Sequence, residues 1–345
     1  MHDVRTEYPR ATYYHKAVQR IGECKQFLKL PSTVFQANPT TQSFAMPFAV
    51  VHREPRLANT ASVVPTVHRA NSVLLQGNVQ ASVSNLFLFR RAFGTSDIFE
   101  RIPPIDPNRV AVFGLTSAFA NAPEQLTNVS IPELASLYVA EIQRRQPHGP
   151  YSLLGYSIGG IIAYEAASQL IVDREAVERI YLVDSPCPLV ISPIRHSLIN
   201  FIDSTQAKQM ESEPQLKASM EPMSSLHETQ TLVSFEKYMP KPLSPCPGHP
   251  TPKTTYYIAK QALDFHATIN RPDVSEGDQK VVSWMLDDRK GLGATGDGWE
   301  RLVDRTKLKI VPIDGNHFSI MKEPYVRDMH SVYLLEIIMT DLSLL

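Results

Sequence analysis

Tyr151-Ser152-Leu153-Leu154-Gly155-Tyr156-Ser157-Ile158-Gly159-Gly160 is the stretch on which the fold turns. Its first half is a short apolar and aromatic run with the character of a buried strand. Its second half opens a run in which Ile161, Ile162, Tyr164, Ala167 and Leu170 recur at helical spacing. A bare Gly-x-Ser-x-Gly is common, but a strand entering and a helix leaving make it a tight turn that lifts Ser157 above the end of a sheet. Gly155 and Gly159 then leave room on either side of the serine. A helix N-terminus behind Ser157 favours developing negative charge, as a nucleophile's site requires. The plainer alternative is a glycine-rich turn carrying a surface serine.

Working outward, similar runs recur at Asn85–Phe89, Val110–Leu115, Arg179–Val183, Thr254–Ala259 and Lys307–Ile313. Continuous apolar runs separated by helical segments mark a parallel sheet covered on both faces. One intervening helix is well signalled: Ser130 and Glu133 can form a capping box, Pro132 suits the first turn, and Ile131, Leu134, Leu137, Tyr138 and Ile142 make its inward stripe. Strand–helix alternation predicts a single α/β domain over 72–345. It breaks at about 188–253, a stretch rich in Ser, Pro, Met and Glu, with six prolines between Pro240 and Pro252. Proline at that density excludes helix and central strand alike, and an insertion of this size between strands reads as a lid or a binding wall. Residues 1–71 hold one candidate helix (Ala11 to Leu30) and a drifting Pro/Thr/Asn/Ser segment, and read as a weakly ordered extension or linker.

Composition narrows the function. The chain has 345 residues, 43% hydrophobic and 20% charged, with Lys+Arg 34 against Asp+Glu 35. A net charge of −1 without a long basic run argues against a nucleic-acid partner. No apolar stretch is long enough to span a membrane, and no secretory signal opens the sequence. Three scattered cysteines (Cys24, Cys187, Cys246) suit neither a disulfide framework nor a metal site. The expectation is a cytoplasmic globular protein without a metal or resident cofactor.

A serine hydroxyl needs a base, and a histidine held by a carboxylate is the fitting one. His317 lies in Asp314-Gly315-Asn316-His317-Phe318, directly after the last expected strand. His148 sits in a Pro/Gly turn, His196 and His227 fall in the insertion, and His330 falls in the last helix. Two carboxylates compete to orient His317: Asp184, which ends the strand after the Ser157 helix, and Asp264, which ends the next one. A loop from either strand end reaches the imidazole, so the residues alone leave both open.

Several separate motifs carry a resemblance. Arg144-Arg145-Gln146-Pro147-His148-Gly149-Pro150-Tyr151 running into Gly155-Tyr156-Ser157, then Leu182-Val183-Asp184-Ser185-Pro186-Cys187-Pro188, the Trp284 to Trp299 segment with its Asp-Asp-Arg and Gly-Trp pieces, and Gly315-Asn316-His317-Phe318-Ser319-Ile320-Met321 resemble the thioesterase domains that end fungal non-reducing polyketide synthases. Ser72-Val73-Leu74-Leu75-Gln76-Gly77-Asn78 resembles the start of such domains. The resemblance covers 72 to about 340 and implies an α/β-hydrolase fold, a mostly parallel sheet with helices on both faces and an inserted lid. It also implies Ser157 as nucleophile, His317 as base and Asp184 as the acid. The substrate would be a polyketide chain on the phosphopantetheine arm of an acyl carrier protein, released by hydrolysis or by cyclisation. Ile158 would supply one oxyanion donor, and Ala92 or Phe93 the other. Here the sequence departs from the family: Arg90-Arg91-Ala92-Phe93-Gly94-Thr95-Ser96 stands where similar domains carry a Pro-Asp-Gly-Ser-Gly type of turn.

With no carrier or ketosynthase module ahead of residue 72, the expectation is action in trans or an excised synthase end. Arg144 and Arg145, or Arg90 and Arg91, are candidates for contact with the carrier or the phosphate of its arm. Two rival readings accompany this one: an esterase acting on oxygen esters, and, because of the 90–96 loop, a catalytically impaired hydrolase fold serving as a binding or assembly protein.

Overall fold

The structure is a computed structural model and describes residues 68–89, 102–191, 198–204 without 202, 226–245, 248–263, 272, 279–289 without 288, and 296–328. The expected 11–30 helix, Cys24, Cys246, His196 and His330 lie outside these residues, as do Asp264 and the 90–96 loop.

Seven strands form one sheet: β1 (Asn71–Gln76), β2 (Ser84–Phe89), β3 (Val110–Thr116), β4 (Tyr151–Tyr156), β5 (Val177–Val183), β6 (Lys253–Ala259) and β7 (Leu308–Ile313). Their order is β1-β3-β2-β4-β5-β6-β7, with β1 antiparallel to β3 and every other pair parallel. Side chains alternate between the two faces, as strand geometry dictates. Phe87, Phe89, Leu153, Ile180, Leu182 and Tyr256 enter one core, while Leu86, Leu88, Leu154, Tyr156, Tyr181 and Tyr257 enter the other. Burial on both faces is why these strands read as unbroken apolar runs.

Helices among the described residues include α1 (Ile131–Arg145), α2 (Ile158–Val172), α3 (Leu226–Glu236) and α4 (Gln279–Leu286). At the start of α1 the Ser130 hydroxyl accepts from the Glu133 N–H at 3.3 Å, and the Glu133 carboxylate accepts from the Ser130 N–H at 2.9 Å. The capping box is thus complete. Helix α2 is apolar nearly all round, because it is the buried helix that follows the central strand. Among the described residues no helix is long and apolar enough to cross a membrane.

Strand β1 has no clear sequence signal, and the reason is local. It is an edge strand whose Val73 and Leu74 face outward at 50% and 42% exposure, while Ser72 points inward. Ser72 is buried because it belongs to an ionic cluster on α1. Its hydroxyl donates to Glu141 and accepts from Arg145 Nε at 2.7 Å, while Arg145 Nη2 donates to the Ser72 carbonyl at 2.9 Å. Glu141 also receives two bonds from Arg144, at 2.6 and 2.7 Å. Arg145 therefore holds β1 to α1 while Arg144 braces Glu141 within α1, and the Arg145 guanidinium lies 5.4 Å from the centre of the Phe113 ring.

The turn between β4 and α2 explains its glycines. A Cβ on Gly155 would stand 2.3 Å from the Gly159 carbonyl oxygen and 2.4 Å from Gly160 Cα, and one on Gly160 would stand 1.9 Å from Ser185 Oγ. Backbone cannot yield as a flexible side-chain end can. Gly155→Ala is accordingly expected to lower stability by about 2–3 kcal/mol, the upper part of the overpacking range. Urea denaturation checks this, and a change below about 0.5 kcal/mol would show that the turn relaxes freely.

Candidate active site

Ser157 sits where β4 ends and α2 begins, with φ 57° and ψ −129°. A non-glycine residue with positive φ is strained, and the surroundings must hold it there. They do so through the Ser157 N–H, which donates to the Val183 carbonyl at 2.9 Å, and through the glycine contacts above.

His317 follows β7. The side chain of Asn316 accepts from the N–H groups of Phe318 and Ser319 at 3.0 and 3.1 Å, and Gly315 takes φ 98° at the turn. Tyr156, the last residue of β4, donates its hydroxyl to the His317 carbonyl. The imidazole is 3% exposed, with the Tyr156, Trp284 and Phe318 rings at 5.5, 5.1 and 5.1 Å. Such packing fixes the ring plane.

Asp184 follows β5 directly and also takes a positive φ, 42°. Its N–H donates to the Tyr257 carbonyl at 2.7 Å. Trp299 Nε1 anchors the next residue by donating to the Ser185 carbonyl at 2.9 Å.

The three side chains meet. Ser157 Oγ is 3.1 Å from His317 Nε2, and His317 Nδ1 is 2.7 Å from Asp184 Oδ2. The other carboxylate oxygen, Oδ1, accepts from the Ala259 N–H at 2.9 Å and from Arg289 Nη1 at 2.6 Å. Complete burial by itself pushes the Asp184 carboxyl up. The Arg289 charge, the His317 hydrogen bond and the Ala259 N–H outweigh it and hold the group below the ordinary carboxylate range.

A cleft of about 450 Å³, counted out to open solvent, lies over Ser157 and His317. Ile158, Ile161, Ile191, Leu232, Phe235 and Val281 make it apolar, and Glu228 is the carboxylate in its lining. Glu228, Leu232 and Phe235 share one face of α3, in the excursion between β5 and β6.

The remaining candidates fall as follows. Ile158 opens α2 directly after Ser157, where an N–H has no intrahelical acceptor. Ala92 and Phe93, the other oxyanion candidates, lie outside the described residues, as does Asp264. His148 is exposed and 3.1 Å from Glu175, and His227 is buried 2.8 Å from Ser117 Oγ. Neither lines the cleft, and neither do Arg144 and Arg145. Sequence reading assigned no role to Arg289 or Glu228. Arg289 closes the Asp-Asp-Arg piece that carries part of the resemblance, a signal that points to it without giving it a role; Glu228 has no such motif, and burial, at 4% and 2% exposure, marks both.

Comparison with known proteins places these features. The family model described as "Thioesterase domain" matches residues 84–231. Non-reducing polyketide synthase terA of Aspergillus terreus is 32% identical over 263 residues, which is 76% of this chain and 12% of that protein. Non-reducing polyketide synthase Preu8 of Preussia isomera is 30% identical over 293 residues, 85% of this chain and 13% of that one. The chain thus spans about an eighth of the length of these relatives. Among solved structures, the NocB thioesterase domain in covalent complex with a fluorophosphonate nocardicin G analog aligns with TM-score 0.50 and 17% identity, covering 78% of this chain and 99% of that one. The four-domain nonribosomal peptide synthetase holo-AB3403 aligns with TM-score 0.51 and 22% identity, over 76% of this chain and 20% of that one. At these identities the structures establish a shared fold, the α/β-hydrolase type with its mostly parallel sheet.

Proposed function

From the thioesterase-domain match over residues 84–231 and the likeness of 76% of the chain to a non-reducing polyketide synthase, we propose that this protein releases a polyketide acyl chain from a carrier-protein thioester through a covalent intermediate on Ser157. One observation carries the reading: Ser157 Oγ, His317 and Asp184 form a continuous relay of 3.1 and 2.7 Å at a strained strand-to-helix turn. Ser157 Oγ attacks the thioester carbonyl while its proton passes to His317 Nε2. The carbon–sulfur bond then breaks, and the proton returns from Nε2 to the leaving thiol sulfur. Asp184, ionised and fixed, holds the imidazole in the tautomer that presents Nε2 as acceptor. The Ile158 N–H at the start of α2 meets the developing oxyanion.

Release takes one of two courses. Water closes the cycle as a free acid, or a nucleophile of the chain itself closes a ring. The apolar cleft favours a largely hydrophobic acyl chain and limits water. The carrier partner is an acyl carrier protein, a reading supported by the relatives' identity as polyketide synthases. Its phosphopantetheine arm arrives with the substrate, so the chemistry needs no resident cofactor.

Intact-mass labelling with a fluorophosphonate tests the serine. One adduct is expected on the parent and none on Ser157→Ala. An adduct on both would assign the activated nucleophile elsewhere, and no adduct on the parent would favour a non-catalytic hydrolase fold. Acyl-pantetheine thioesters compared with matched oxygen esters test the substrate class. Faster turnover of the oxygen ester would replace the thioesterase reading with an esterase one.

A further inference from the structure

The relay has a fourth member, and we propose that Arg289 is a positioning residue that keeps the Asp184–His317 pair in its working protonation state. The inference rests on the serine-hydrolase reading of Ser157. Arg289 lies just beyond α4, and its side chain is 1% exposed. Nη1 donates to Asp184 Oδ1 at 2.6 Å, on the oxygen opposite the one that faces His317. Nε donates to the Trp284 carbonyl at 3.0 Å, and the guanidinium lies 4.4 Å from the centre of the Trp284 ring. That tryptophan ring meets the His317 ring in a T-shaped contact, centres 5.1 Å apart. A planar fork held at two nitrogens and stacked on a ring cannot wander, so the positive charge is fixed relative to both members of the pair.

The geometry has an electrostatic consequence. Asp184 is 0% exposed, and a buried carboxylate without a counter-charge takes up a proton. The groups around the pair are Ser157 and Tyr156 from the end of β4, Ser185 after β5, Tyr256, Tyr257 and the Ala259 N–H from β6, and Glu228 across the cleft from α3. Asp297 and Cys187 act on Tyr256. Burial and the Asp184 charge push the Tyr256 hydroxyl well up, so it stays neutral. Among the described residues, Arg289 is then the permanent positive charge beside Asp184. It opposes proton uptake by the pair at both places. It holds Asp184 ionised, and by neutralising that anion it weakens the pull that would charge His317 in the resting enzyme. The base therefore stays unprotonated, and able to accept the serine proton, at lower pH than an uncompensated Asp–His pair would allow. Because the two groups are strongly coupled, the titration belongs to the pair.

The test uses the second-order rate of fluorophosphonate labelling of the full chain as a function of pH, followed by intact mass. In the parent the rate falls on acidification as the pair takes up a proton. Arg289→Met is expected to move this acidic limb to higher pH by about one unit or more, tenfold in proton concentration, the size of a lost neighbouring charge. Arg289→Gln, which keeps a neutral donor, is expected to move it equally and decides the matter should the Met variant not fold. Arg289→Lys keeps the charge, so its limb stays with the parent's even where the plateau rate drops. A lower plateau with an unmoved limb in the Met and Gln variants would reduce Arg289 to a packing role and overturn the inference. A limb that moves as far in the Lys variant would do the same. Absence of labelling in the parent would instead overturn the reading of Ser157, so the two failures are distinguishable.

Discussion

Ser157→Ala is expected to reduce acyl-thioester turnover by roughly 10⁴–10⁶, as removal of the nucleophile does in enzymes that work through a serine relay. The fold should hardly notice. Alanine keeps the Cβ, so the strain at φ 57° is unchanged, and the hydroxyl's bond to His317 is a single contact at the cleft. A surface-like change of this kind stays within about 0.5 kcal/mol. Ser157→Gly separates strain from chemistry: equally inactive, it should be more stable by about 1 kcal/mol, because glycine adopts positive φ without penalty. Steady-state rates and urea midpoints for both variants check this. Residual turnover within tenfold of the parent would remove Ser157 from the nucleophile's role.

The contrast between what the sequence shows and what it hides follows from the physics of each element. Strands buried on both faces advertise themselves as apolar runs, and the strand–turn–helix around Ser157 is recognisable because a tight turn permits few residues, with Gly155 packed against the Gly159 carbonyl. Strand β1 is hidden because an edge strand with an inward Ser72 inverts the usual alternation. Ser157 and His317 stand at strand ends, positions that local pattern can read. The choice between Asp184 and Asp264 cannot be read that way, since it depends on how two loops fold in space; the resemblance implies Asp184, and the structure sets its carboxylate 2.7 Å from His317. Arg289 is less visible still. It stands 105 positions from its partner, and no local spacing marks an ion pair formed over such a separation.

Asp184→Asn is expected to affect rate and stability together, and by separable routes. The amide is nearly the carboxylate's shape, but it presents a donor or a neutral acceptor to His317 Nδ1 and loses the charge that stabilises the imidazolium. The corresponding change in a serine protease lowers kcat about 10⁴-fold, and a loss of that order is expected here. Asp264→Asn should cost far less, and the reverse ranking would transfer the acid's role to Asp264. Stability falls because Arg289 is left as a buried cation without its anion, which typically costs about 3–5 kcal/mol. The pH dependence has a definite sign. The folded-state pKa of Asp184 is lowered, so its ionised form contributes stability above the unfolded carboxylate range, and the contribution is lost as pH falls through the lowered folded value. The gap in stability between parent and Asp184→Asn should therefore be full at neutral pH and shrink on acidification. Adding Arg289→Met to Asp184→Asn removes the stranded cation, and the double variant should regain much of the lost stability while regaining none of the lost rate. Recovery of both together would mean that the carboxylate serves only to neutralise Arg289 and plays no part in orienting His317.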